Sequence, residues 1–320
     1  MTMLRRRTCL AWALLGGCVG EPMNAPPPTT PSGSDALLTP WRTLQGGFLT
    51  PPTPGIGLPL RPGSGMFVKL IAPGPIALRG SDLLIADLGS ARLWRTDVMT
   101  QAMTGIAGAP VGPGTALLLG PDLSAWVLDA PARQVLRFGR DGRLLQTFRA
   151  AIGAVPSSIA LADGGNVLLQ ADGALGQWSE QRAIGALAVP LRPEREGGGL
   201  LQVDAIAVGA KNPRDVFVLD RGAAVVHRVQ RDGRIVQTLG QGELRQPQAF
   251  AVDRWDRVFV VEAPLRSLRV LRAGAPSIVL RAEQLGVQQI GGIAIDERFL
   301  AVADRLAGQV VIHQLGAGES

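Results

Sequence analysis

The sequence has no tyrosine, two cysteines, two histidines and, among 32 basic residues, only Lys69 and Lys211 as lysines. Two cysteines exclude a disulfide scaffold and a Cys-rich zinc centre. Two histidines exclude a three-His site within one chain. Charged residues are scarce at 18%, against ~25% in ordinary globular chains. Hydrophobic residues nevertheless make up 46%, so the chain is not disordered and can bury a sizeable core. There is no Gly-x-Ser-x-Gly elbow, no dinucleotide fingerprint and no P-loop. Glycine (41) and proline (24) are plentiful, so turns must be frequent.

The N-terminus reads as an export segment. Arg5-Arg6-Arg7 precede a short apolar stretch from Leu10 to Leu15. That stretch is well below the ~20 residues a spanning helix needs and fits a secretory signal. Leu15-Gly16-Gly17-Cys18 resembles the lipobox of bacterial lipoproteins. The resemblance implies cleavage before Cys18, diacylglycerol on its sulfur and an acylated, palmitate-type N-terminus. Several acyl chains at ~0.8 kcal/mol per buried methylene would anchor the protein to a membrane. Val19, where Asp would imply inner-membrane retention, implies an outer-membrane lipoprotein of the cell envelope that faces the periplasm, with exposure at the cell surface as the alternative. Cys9 falls in the discarded segment. Without Arg5, Arg6 and Arg7 there remain 29 basic against 26 acidic residues, a net charge of +3, so nucleic acid is not an expected partner. Residues 19–64 hold 11 of the 24 prolines and no hydrophobic period, the composition of a semi-rigid tether. The domain reading is therefore a signal peptide over 1–17, an anchor and tether over 18–64, and a single folded unit over 65–320.

That unit is repetitive. An apolar run ending in an acid recurs at Asp87, Asp129, Asp220, Glu262 and Asp304. Neighbouring acids lie 42 residues apart, and the 91-residue gap from Asp129 to Asp220 holds one more unit, in which Ala171 replaces the acid. A second apolar run precedes each by about ten residues, as in Ile76-Ala77-Leu78 and Ile293-Ala294-Ile295. A third run follows the acid, then Asp-Gly and a fourth. Asp141-Gly142 and Asp232-Gly233 are themselves 91 residues apart, and Asp-Gly suits a type I′ hairpin turn. Four short strands per 40–45 residues is the signature of a β-propeller.

The spacing resembles the NHL repeat. Pro75, Pro156 and Pro247 stand where that family has a proline before the inner strand, and the acids stand at its strand end. Gly142 and Gly233 follow their acids by 13 residues, as the family pattern has them. The resemblance implies an all-β, six-bladed propeller of four-stranded blades. The sixth unit lacks a fourth strand, and Met66–Ile71 is expected to supply it and close the ring.

Candidate sites are few. The repeated acids read as strand-end devices that accept hydrogen bonds from their own turns. His227 and His313 lie seven and nine residues after their acids, so they are not equivalent and make no metal pair. Of the residues leading into the inner strands only Asp204 is acidic, too little for a divalent cation, and no cofactor is expected. Arg92, Arg133, Arg221, Arg266 and Arg305 recur in the turns after the acids and form a possible basic face for a partner. The expected function is a monomeric, lipid-anchored and non-catalytic scaffold that binds an envelope protein. The alternatives are a propeller hydrolase or lyase of the gluconolactonase or amidating-lyase kind with a channel site around Asp204, and a polyanion- or sugar-binding propeller.

Overall fold

The computed structural model describes residues 37–50, 65–149, 156–161, 167–171, 174–178, 189–190, 203–209, 211–212, 214–230 and 234–317. Cys18 and the signal segment lie outside them. Among the described residues every sizeable element is a strand, with one 3-10 turn, Ala282–Leu285, as the exception.

The strands run β1 (Leu38–Leu44), β2 (Gly46–Leu49) and β3 (Phe67–Lys69), then six groups. The first group is β4 (Pro73–Arg79), β5 (Asp82–Asp87), β6 (Arg92–Asp97) and β7 (Ala102–Ile106). The second is β8 (Thr115–Leu119), β9 (Ala125–Asp129), β10 (Gln134–Phe138) and β11 (Leu144–Arg149). The third is β12 (Pro156–Leu161), β13 (Val167–Ala171), β14 (Ala174–Trp178) and β15 (Val189–Pro190). The fourth is β16 (Val203–Val208), β17 (Val216–Asp220), β18 (Val225–Val229) and β19 (Ile235–Leu239). The fifth is β20 (Pro247–Val252), β21 (Val258–Glu262), β22 (Ser267–Arg272) and β23 (Ala275–Arg281). The last is β24 (Ile290–Ile295), β25 (Phe299–Asp304) and β26 (Gln309–Leu315). Each group is one antiparallel meander. Five sheets have four strands, and the first has six because β2 and β3 add to its outer edge. The first strands of successive sheets touch in turn, β4 to β8 and onward to β24, and β24 touches β4 again. The fold is a β-propeller.

The apolar runs that end in an acid are the second strands, and propeller packing explains why they are apolar throughout. Alternate side chains of a strand point to opposite faces, and here both faces meet a neighbouring sheet. Leu83 and Ile85 pack with Ala301 and Ile312 of the last sheet, whereas Leu84 and Ala86 pack with Ala125 and Val127 of the second. Phe259 and Val261 likewise face Leu300 and Val302, while Val258 and Val260 face Phe217 and Leu219. Small residues let the innermost strands approach. A Cβ at Gly292 would sit 2.4 Å from the Gly74 carbonyl oxygen, and one at Gly291 would sit 2.3 Å from that of Pro73.

Two expectations need correction. Met66–Ile71 does not close the ring. β1 does so, pairing antiparallel with β26 from Leu38↔Leu315 to Leu44↔Val310. β1 and β2 thus lie within the stretch read as tether. Leu44 is fully buried and Trp41 stacks on Phe299 at 4.5 Å, contacts that Met66, Phe67 and Ile71, 69%, 47% and 60% exposed, do not offer. β3 instead pairs with β2 outside the first sheet, and β2 runs parallel to β7. The second correction concerns Asp141-Gly142. Gly142 has φ 81° but Asp141 is not left-handed, so the turn is not type I′. Gly142 N donates to Gly139 O (3.0 Å) and Gly139 N to Arg143 O (2.8 Å), a type I turn with a bulge at the glycine. Gly233 lies outside the described residues.

Candidate functional site

The repeated acids are clips between two pieces of backbone. Asp304 is fully buried and accepts from its own turn at Leu306 N and Ala307 N, both 3.2 Å. It also accepts from Gln288 N (2.8 Å) and Gln289 N (3.1 Å), in the segment that leads into β24. Asp87 does the same with Gly89 N, Ile71 N and Ala72 N. Glu262 holds Arg245 N at 2.9 Å ahead of β20. Asp87 and Asp304 thus fix the turn between second and third strands against the approach to the first strand, whereas Asp129 and Asp220 accept from their own turns at Ala132 N and Ala223 N. The turn also needs one left-handed residue, four positions after the acid at Ala91, Arg133, Ala224 and Gly308 (φ 51–64°).

These turns and the starts of the innermost strands share one face of the propeller, and the five arginines stand on it at two positions. Arg221 and Arg305 directly follow their acids and turn towards the axis. Arg221 Nε lies 2.7 Å from Asp204 Oδ2, an ion pair whose angle falls outside hydrogen-bond geometry. Arg305 packs beside Gly291 of β24, and its buried Nε has no hydrogen-bond partner. Arg92, Arg133 and Arg266 stand further along the turns and are exposed. The Arg92 guanidinium sits 5.7 Å from the Trp94 ring centroid. Among the described residues Arg92, Arg133, Arg266 and Arg305 have no carboxylate within ion-pair distance.

Asp204 lies in β16, the first strand of its sheet, and is held by Arg221. Ser157 Oγ donates to its carbonyl (3.0 Å), and Ser158 Oγ accepts from Ile206 N (3.1 Å). Both serines tie neighbouring innermost strands together. Among the described residues no three His, Cys, Asp or Glu side chains gather as metal ligands would. His313 is buried, with Nε2 3.2 Å from Leu285 O. Burial holds its pKa below the ordinary imidazole value against that one bond.

One polar cluster lies away from this face. Between the outer strands of the fourth and fifth sheets a cleft of about 380 Å³ is lined by Gln237, Thr238, Gln241, Glu243, Arg272 and Ser277, over Leu239 and Leu271. Behind Thr238, His227 Nδ1 lies 3.0 Å from its hydroxyl, and His227 Nε2 lies 3.8 Å from Asp220. Behind Ser277, Arg269 donates to its hydroxyl (3.0 Å) and to Glu262 (3.0 Å), while Ser277 donates to Glu243. His227 and Arg269 occupy the same position in their third strands, opposite Val218 and Val260. The equivalent residues in three other sheets are Trp94, Leu136 and Val311. Periodicity could not show this cluster, since it depends on which side chains two adjacent sheets turn to a shared groove. The one sequence signal was a histidine in the third strand of its unit, beside Arg228.

No protein-family model and no curated protein matches the sequence. Solved structures do resemble it. A virginiamycin B lyase from Staphylococcus aureus is 11% identical with a TM-score of 0.54, covering 77% of this chain and 96% of that one. A gluconolactonase from Xanthomonas campestris is 12% identical at 0.55, covering 77% and 86%. Hydrazine synthase from Kuenenia stuttgartiensis is 12% identical at 0.55, covering 80% and 99%. At this identity the likeness is one of fold, and by fold the chain is a β-propeller with four-stranded blades.

Proposed function

We propose that this protein is an NHL-type, six-bladed propeller, counting the six-stranded sheet as a blade. It is anchored in the cell envelope through lipid on Cys18 and docks an acidic envelope protein on its basic turn face without catalysing a reaction. One observation carries the reading: among the described residues Arg92, Arg133 and Arg266 are exposed and without carboxylate partners, on or beside turns whose acids Asp87, Asp129 and Glu262 accept hydrogen bonds from backbone N–H groups. Fixed charges of one sign on a broad face steer and orient an oppositely charged partner, and rigid loops lower the ordering cost of binding. The test is a pull-down from crosslinked envelopes with wild type and an Arg92→Glu, Arg133→Glu, Arg266→Glu triple variant. A defined acidic partner should be recovered with wild type and reduced tenfold or more with the variant. Equal recovery by both would overturn the reading.

A second reading follows from the fold neighbours, a lyase and a gluconolactonase. Here the axial mouth around Asp204 would carry hydrolase or lyase chemistry. The Arg221 partner holds the Asp204 carboxylate in one orientation, which suits electrostatic support better than proton transfer. Lactone turnover that Asp204→Asn abolishes would displace the docking proposal.

A further inference from the structure

In the cleft between the fourth and fifth sheets, His227 and Arg269 stand behind the wall and each meets a hydroxyl that faces the groove. Burying charge inside a propeller costs desolvation that an apolar side chain avoids. The corresponding residues Trp94, Leu136 and Val311 show that this fold accepts apolar groups there. His227 and Arg269 break that pattern in two adjacent sheets, and both fix a hydroxyl on the wall of the same cleft. Two independent departures converging on one groove point to a site rather than to packing.

The lining identifies the chemistry of the occupant. Arg272 and Glu243 give one charge of each sign, so neither an anion nor a cation is favoured by net charge. Gln237 and Gln241 each offer a donor and an acceptor. Thr238 and Ser277 offer hydroxyl oxygens that the buried network already orients. Arg272 Nε is buried without a hydrogen-bond partner. Alternating donors and acceptors with no net charge match a molecule that is itself donor and acceptor at neighbouring atoms. Vicinal hydroxyls on a pyranose ring are such groups, and carboxylate and guanidinium both bind them in pairs. The floor made by Leu239 and Leu271 would take the apolar face of the ring. A cleft of about 380 Å³ lies within the range of small-ligand sites, roughly 300–1,000 Å³.

We propose that this cleft binds a neutral oligosaccharide, a second site independent of the basic turn face. The experiment uses the full chain on immobilised neutral oligomers of glucose, galactose and N-acetylglucosamine, two to four units long, with sulfated and sialylated oligomers alongside. Wild type should retain a neutral oligomer in preference to the acidic ones. Gln241→Ala, on an exposed turn, and Glu243→Gln should each weaken that binding tenfold or more. Arg92→Glu, outside the cleft, should leave it unchanged. Retention of no neutral oligomer, preference for the acidic ones, or equal binding by the Gln241→Ala and Glu243→Gln variants and wild type would overturn the proposal. Equal partner recovery by wild type and the turn-face triple variant, with oligosaccharide binding intact, would count against the turn-face reading alone.

Discussion

Asp304 and Asp129 are the same residue of the same repeat, yet they hold different amounts of structure. Asp304 satisfies four backbone amides while fully buried. Asp129 is half-buried and accepts from Ala132 N (3.2 Å) and from the Gln134 side chain (3.1 Å). A buried donor left without its acceptor costs ~1–3 kcal/mol. Asp304→Ala should therefore lose about 3 kcal/mol or more of unfolding free energy, and Asp129→Ala about 1 kcal/mol. Denaturant melts of the two variants provide the comparison, and equal losses would contradict the clip. The acids were legible in the sequence because they repeat every 42 residues. The second half of their role was not. The amides of Ile71, Ala72, Gln288 and Gln289 lie 15–16 residues ahead of their acids, and only the pairing of first with second strands brings them together. His227 and Thr238 were hidden for the same reason, since they meet only across the β18–β19 register.

At the scale of elements, sequence periodicity located the strands of the ring but not the strand that closes it. β1 contains Pro40, which reads as a strand breaker, within a proline-rich stretch. Proline is tolerated on an edge strand or at a bulge, and β1 is both: it is the outermost strand of its sheet, and its register shifts between Pro40 and Arg42. The closure is reinforced across to the first sheet, where Arg42 donates to the carbonyls of Val98 and Met99. Gly80 N also donates to Asp296 of the last sheet (2.9 Å). Leu44→Ala should cost about 2–5 kcal/mol as a core truncation, while Phe67→Ala in exposed β3 should cost about 0.5 kcal/mol or less. A chain of this size loses roughly 2–4 °C of Tm per kcal/mol. Leu44→Ala should thus melt well below wild type and Phe67→Ala close to it. The reverse order would return closure to the 66–71 segment.

Because the first and last described strands meet in one sheet, loosening that sheet opens the whole ring, and acid provides a graded way to do it. His313 lies in β26, between β1 and β25, and burial keeps it neutral by holding its pKa below 6.5. The unfolded chain takes up a proton near pH 6.5 that the folded chain refuses until lower pH. His313 therefore weakens the fold as pH falls from about 6.5 towards its lowered value, and contributes no slope above. Asp122 acts in a separate window. Partial burial would raise its pKa, but the Ser124 hydroxyl and amide and the Arg137 guanidinium outweigh burial and hold it at about 2. Its contribution is complete above pH ~4 and is lost as pH falls towards 2. Asp97, held low by Ser81 and the Thr100 turn against burial, adds to the same window. Wild-type Tm should then be flat above pH 7, decline from about 6.5 towards 5, and drop again below 4. His313→Leu gives up the bond to Leu285 and should melt lower at pH 7.5, but with a shallower decline between 6.5 and 5. Asp122→Asn should leave that decline intact and flatten the lower one. Parallel Tm curves for wild type and His313→Leu from pH 7.5 to 5 would show that the seal of the ring does not titrate through this histidine.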